Sequence, residues 1–245
     1  MKRVFIVALS MLGALLLLQP AAMADVTMLL TGVTPQGYNL GGVYTSPYQI
    51  SVNGVTESLV CDDFETDISI SDEWLADVGS LSGVGPAGPQ KFTQASTPAV
   101  LIPNGTTDFY TIQQDYDAAA WLAIWLLYPA VPLAPEVAED YSYAIWQIFD
   151  PGAVNGYNGQ ALGTEDRSNV ATDMTKAFAA GAPPSSYAVT IYTPIPPPPT
   201  SPYIYPSQEF IGVSVPEGPA LPFLPFDMLA LFGGVFLVRR RILAS

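Results

Sequence analysis

The run Cys61-Asp62-Asp63-Phe64-Glu65-Thr66-Asp67 is the densest concentration of polar chemistry in the chain. Alternating acidic oxygens at Asp63, Glu65 and Asp67 are ligands that a hard cation such as Ca2+ accepts. Counted as a calcium-binding loop from Asp63, the spacing then fails. Ile68 stands where a glycine is needed and Trp74 where a bidentate glutamate is needed. The expected arrangement is a strand with a solvated acidic face, with calcium at Asp63, Glu65 and Asp67 as the alternative. Cys61 is the only cysteine, and the chain has no histidine. These counts exclude an internal disulfide, a His-ligated metal and a His-dependent nucleophile. A free cysteine at a strand end is expected to be a small, buried, inert hydrophobe. Carboxylate pairs of the glycosidase kind are available among 22 acidic residues, but no spacing selects one. Trp121, Trp125, Tyr141 and Trp146 offer a sugar-stacking platform, although their helical spacing favours core packing.

Charge narrows the partners. The formal net charge is −14, from 8 basic and 22 acidic residues. Between residues 25 and 220 only Lys91, Arg167 and Lys176 are basic, against 21 acids, so that stretch carries a net charge near −18. Such a surface repels nucleic acid and anionic membranes and draws cations. With few ion pairs available, the fold must rest on burial, aromatic packing and backbone hydrogen bonds.

The elements that hold these residues read as α+β, an antiparallel β-sheet with a helical insert. Strands are expected at Val26–Leu30, Tyr48–Asn53, Val55–Phe64, Asp67–Ile70, Trp74–Val78 and Tyr187–Thr193. Asn53-Gly54 sits between two alternating runs, the strongest short-range signal for a hairpin, because both turn residues need positive φ. Gly79 to Pro89 reads as a loop. A 3.6-residue period takes over at Asp115–Tyr128, with Tyr116, Ala120, Ile124 and Leu127 on one stripe. It recurs from Val137 to Ile148, closed by Asp150-Pro151-Gly152, and from Thr164, as N-cap, to Gly181. Residues 194–214 form a proline-rich spacer, in which Gln208–Val215 has the pattern of one more strand. The main domain is thus expected to be 25–193.

Both ends carry address signals. Lys2 and Arg3 precede an apolar run from Val4 to Leu18, and Ala22-Met23-Ala24 then offers signal peptidase a cut before Asp25. Residues 1–24 are expected to leave as a signal peptide. At the other end, Val215-Pro216-Glu217-Gly218-Pro219 precedes an apolar stretch over 221–238 and the cluster Arg239-Arg240-Arg241. As a helix, 221–238 reaches roughly 27 Å, and its uninterrupted part, 228–238, only about 16 Å. A hydrocarbon core of about 30 Å makes that a marginal single transmembrane helix, held at the cytoplasmic face by its arginines.

This tail, residues 215–245, resembles the PEP-CTERM sorting signal of exported bacterial proteins. The family's box is Val-Pro-Glu-Pro; here Gly218 follows Val215, Pro216 and Glu217, and the second proline is displaced to Pro219. The resemblance implies handling by an exosortase at the inner membrane, then residence at the cell surface or in an extracellular matrix, with a link to exopolysaccharide or biofilm.

A second resemblance joins Cys61 to a distant segment. Val60-Cys61-Asp62-Asp63-Phe64 together with Tyr141-Ser142-Tyr143-Ala144-Ile145-Trp146 is similar to the bacterial thioester domain of adhesins. That family joins a cysteine to a glutamine in a Thr-Gln-x-Ala-Ile-Trp motif. Ala144-Ile145-Trp146 matches it, but Ser142 occupies the glutamine position. Gln147 lies about 140° away around a helix. The resemblance therefore implies the fold with the bond-forming pair reduced to a remnant, Cys61 and Ser142. The expected function is an exported, sorted, non-catalytic surface or matrix protein without a cofactor, whose partners are signal peptidase, exosortase, the membrane and an extracellular glycan. The alternatives are an adhesin-like module binding glycan or protein, and, third, a carbohydrate-active enzyme.

Overall fold

The hairpin anticipated at Asn53-Gly54 is formed by β4 (Tyr48–Val52) and β5 (Val55–Cys61), paired from Tyr48↔Leu59 to Val52↔Val55. Its two turn residues have φ of 48° and 86°, the left-handed pair such a tight turn requires. Asn53 also ties the turn to β1 (Val26–Val33): its side-chain oxygen accepts the Thr27 N–H at 2.9 Å and its N–H donates to the Thr27 carbonyl at 2.8 Å. The computed structural model describes residues 25–33, 39–86, 88, 90–92, 110–196 and 207–216. They fall in two compact units, one of residues up to Pro183 with Val189–Val213, the other of Pro184–Ala188 with the residues from Ser214 on.

In the first unit the sheet closes. β6 (Glu73–Ser80), β7 (Ala188–Pro194) and β8 (Phe210–Ser214) complete a barrel in the order β1-β4-β5-β8-β7-β6. The expected open antiparallel sheet is thus a six-stranded antiparallel barrel, because the strand pattern within the proline-rich spacer forms and pairs with β5 (Val60↔Ile211, Cys61↔Phe210). Inward residues fill it: Met28, Ile50, Leu59, Ala76, Ile191 and Phe210 are buried. Tyr48 meets the Phe210 ring edge-on at 5.7 Å, a contact worth about 0.5–1.5 kcal/mol beyond the area it buries. A two-stranded ribbon, β2 (Asn39–Leu40) and β3 (Val43–Tyr44), stands apart from the barrel.

The helical insert lies between β6 and β7, where it was expected, as α1 (Ile112–Leu127), α2 (Pro135–Phe149) and α3 (Thr164–Ala180). Each helix packs against the other two. Thr111 caps α1 reciprocally with Gln114 (3.2 and 2.9 Å), an arrangement worth about 1 kcal/mol. α1 is buried on more than one stripe, through Ala118, Ala119, Leu122 and Ala123 as well as Tyr116, Ala120 and Ile124. Its small residues let α2 and α3 approach. Proline at the first position of α2 suits a helix start, where no N–H is needed.

Three local expectations fail. Asp67–Ile70 is not a strand: the Asp72 carboxylate takes the Ser69 N–H at 2.6 Å and folds the segment into a turn ending at Ser71, with φ of 79°. Gly163, not Thr164, stands at the N-cap of α3, and its N–H donates to the Asp166 carboxylate at 3.2 Å. The start of the loop expected over Gly79–Pro89 is still β6, followed by a 3-10 turn at Leu81–Gly83. No helix among the described residues is long and apolar enough to cross a membrane. The signal segment 1–24 with Ala22 and Ala24, the apolar stretch 221–238, Glu217 and Arg239 to Arg241 lie outside the described residues; Asp25, Val215 and Pro216 are exposed.

Candidate functional site

β5 ends at Cys61 beneath α2, and the polar groups converge there. Cys61 is fully buried. Its backbone N–H donates to the Ser46 hydroxyl at 3.0 Å, and the Ser46 N–H donates to the Ser142 hydroxyl oxygen at 3.0 Å. Ser142 spends its own proton on the Ala138 carbonyl one turn back, at 3.0 Å. The two residues singled out from distant motifs, Cys61 and Ser142, thus meet through a third, Ser46. The thiol donates to the Asp63 carbonyl at 3.3 Å. Burial pushes its pKa well up, and the charges of Asp63 and Asp62 push it further, so the sulfur stays a thiol. Gln147 turns elsewhere: its amide donates to the Pro151 carbonyl at 2.7 Å and accepts the Val154 N–H at 3.2 Å, pinning the loop after α2.

The acidic run after Cys61 is a solvated face only in its second half, where Glu65 and Asp67 are exposed. Asp62 and Asp63 are fully buried and part company. Asp63 pairs with Lys91 Nζ, which also donates to the Thr66 hydroxyl at 2.8 Å. Asp62 meets Glu209, the buried residue just before β8. Glu209 collects three donors: the Tyr116 hydroxyl of α1, the Thr193 hydroxyl of β7 and the Lys91 N–H at 2.6 Å. Asp62 has no such donors, so burial, then the charge of Glu209, raise its pKa well above the carboxylate range. Glu209 is raised by burial, with its three hydrogen bonds working against that rise. Burial and the nearness of two carboxyl groups thus push Asp62 and Glu209 alike toward their neutral forms.

The three residues of the calcium alternative have separate surroundings. Asp63 is committed to Lys91, Glu65 points to solvent, and Asp67 accepts the Tyr157 hydroxyl at 3.2 Å. Among the described residues no three acidic, cysteine or histidine side chains gather as a metal site. The four platform aromatics also divide. Trp121, Trp125 and Tyr141 form a half-buried row with centroids 5.7 and 6.0 Å apart, whereas Trp146 is buried against Phe64 at 5.2 Å.

Beside the end of β5 lies a groove of about 590 Å3. Tyr44 and Tyr157 flank it, Phe64 and Trp146 back it, and Asp63 and Gln208 lie on its floor. Gln208, Glu209, Ser46 and Lys91 were not singled out in the sequence. The one available signal was a glutamate inside the alternation of 208–215, a charge at an inward position.

No family model matches the chain, and no curated protein matches it. Among solved structures it is similar to the N-terminal thioester domain of a surface protein from Clostridium perfringens, at 12% identity and a TM-score of 0.45, over 77% of this chain and 98% of that one. It is likewise similar to a cysteine-to-alanine mutant of that domain, at 11% identity and a TM-score of 0.47, over 78% of this chain and 99% of that one.

Proposed function

We propose that the chain is an exported, exosortase-sorted surface or extracellular-matrix protein whose barrel-and-helix unit binds reversibly and performs no catalysis. The observation that carries this reading is the state of Cys61 and Ser142. A thioester needs an acyl group facing the sulfur, and the residue at that place supplies a hydroxyl already engaged with Ala138 and Ser46. The sulfur itself is buried and held as a thiol, so it is no nucleophile either. What supports export and sorting is the sequence of the two ends, read above.

Intact-mass measurement of the protein tests the binding reading. Thioester formation expels ammonia, a loss of about 17 Da, and leaves an acyl group that methylamine captures. The expected result is no deficit, no methylamine adduct, and alkylation of Cys61 only after unfolding. A 17 Da deficit, or a methylamine adduct on the folded protein, overturns it. Terminal sequencing of the exported protein should begin at Asp25.

A further inference from the structure

We propose that the groove beside the end of β5 is a saccharide site, taking a neutral or amino-bearing glycan between Tyr44 and Tyr157. This deepens the reading of a reversible binding module and rests on it. A sugar ring presents an apolar C–H face and an edge of hydroxyls. A site for it needs aromatic surface for the first and fixed polar atoms for the second. The groove has both, and its 590 Å3 lies in the ordinary range for small-ligand sites.

The aromatic surface is exposed and anchored. Tyr44 and Tyr157 are 53% and 41% accessible. Both are tied down at the backbone, and Tyr157 at its ring as well: the Tyr44 carbonyl accepts the Tyr48 hydroxyl at 2.6 Å, and Tyr157 donates its N–H to the Gly41 carbonyl at 3.0 Å and its hydroxyl to Asp67 at 3.2 Å. A ring fixed before the ligand arrives, as that of Tyr157 is, loses little freedom on binding.

The polar atoms of the groove are acceptors, that of Asp67 at the surface and those of Gln208 and Asp63 just beneath it. Gln208 spends its amide N–H groups on the carbonyls of Asp63 and Thr66, which orients its side chain and leaves its oxygen without a partner. Asp63 gives one oxygen to Lys91, and its other has no partner. Both residues lie on the floor, and Asp67 adds a carboxylate at the exposed rim. A surface of acceptors calls for a ligand rich in donors, which hydroxyls and ammonium groups are. The net charge near −18 of residues 25–220 turns away uronate or sulfate polymers.

The test is titration of the exported protein, purified from its producing host, with three probes: a neutral glucan oligomer, a glucosamine oligomer and a polygalacturonate oligomer. The variants are Tyr44→Ala, Tyr157→Ala, Tyr157→Phe and, away from the groove, Val131→Ser, each checked for an unchanged melting temperature. The expected result is binding of the neutral or the amino probe. Each alanine variant should weaken it at least tenfold, Tyr157→Phe less than Tyr157→Ala, and Val131→Ser not at all. Binding of none of the probes, binding of the uronate alone, or binding that survives both alanine changes overturns the site. None of these outcomes touches the mass and methylamine test, so failure of the groove and failure of the reversible-binding reading are separable.

Discussion

Replacing Asp62 by asparagine should make the protein more stable at neutral pH and flatten its stability against pH. The asparagine side chain has the shape of a protonated aspartate and no group that ionises. The sign follows from linkage. The folded pKa of Asp62 is raised above the unfolded value of about 3.9, so its contribution is complete below pH 4 and is lost as pH climbs towards the folded value. Over that window the wild type loses about 1.4 kcal/mol per pH unit that the variant keeps. Against this, the asparagine amide brings a second N–H that the wild-type acid lacks. Buried without a partner, that donor costs about 1 kcal/mol.

The two terms fix a crossing. The wild type should be ahead at pH 4, and the variant should gain on it by about 1.4 kcal/mol per pH unit across the window in which folded Asp62 holds a proton that the unfolded chain releases. For a domain of this size each kcal/mol is about 2–4 °C in Tm. Thermal or urea unfolding of both proteins at pH 4, 5, 6 and 7 measures it. Acids remote from Asp62, Asp140 with a pKa pushed up to about 6 among them, are common to both proteins and cancel in the difference, whereas Glu209 responds to the substitution. A difference that does not change with pH, or a variant less stable than the wild type at pH 7, refutes a raised Asp62 pKa.

Ser142→Ala should cost about 1–3 kcal/mol in chemical denaturation, because it strands the buried Ser46 N–H. Gly41→Ala should cost about 2–4 kcal/mol and weaken groove binding, since φ is +61° and an added Cβ would stand 2.2 Å from the Tyr143 hydroxyl. A tag placed after Ser245 should be absent from the bulk of the protein at steady state in the native host, and should be retained when Arg239, Arg240 and Arg241 are made neutral; a retained tag on the unaltered chain refutes sorting.

What was legible in the sequence was local. Asn53-Gly54 announces its turn because two consecutive positive φ values select those residues. The three helices announce themselves by period and by their flanking proline and glycine residues. Closure of the barrel was hidden, because it depends on β8 returning to β5 across a proline-rich stretch, a pairing that no local pattern encodes. The acidic run misled for a related reason. Charge clusters usually meet water, and only partners far along the chain, Lys91 and Glu209, make burial of Asp62 and Asp63 tolerable. Asp67–Ile70 had strand alternation over too few residues to outweigh the Asp72 side chain. Cys61 and Ser142 were found by motif, but Ser46, which joins them, belongs to no motif.

The end of β5 is a hub in which hydrogen bonds join segments far apart in the chain. Ser46 ties Cys61 to α2, and the Asp62–Glu209 pair ties the next residue to α1 and β7. Each such bond contributes about 1 kcal/mol net, but leaving any partner unmade inside the protein costs more than that, so the set is kept or lost together. The groove takes its floor from residues of this hub, Asp63 and Gln208. On the proposed reading, capture at this groove is reversible and weak per site. In a matrix such a module gains strength from the number of copies displayed rather than from any one bond, since linked sites convert later binding events into intramolecular ones. On that account, affinity measured on single molecules should understate retention on a polymer, and the gap should widen with the number of sugar units the polymer presents.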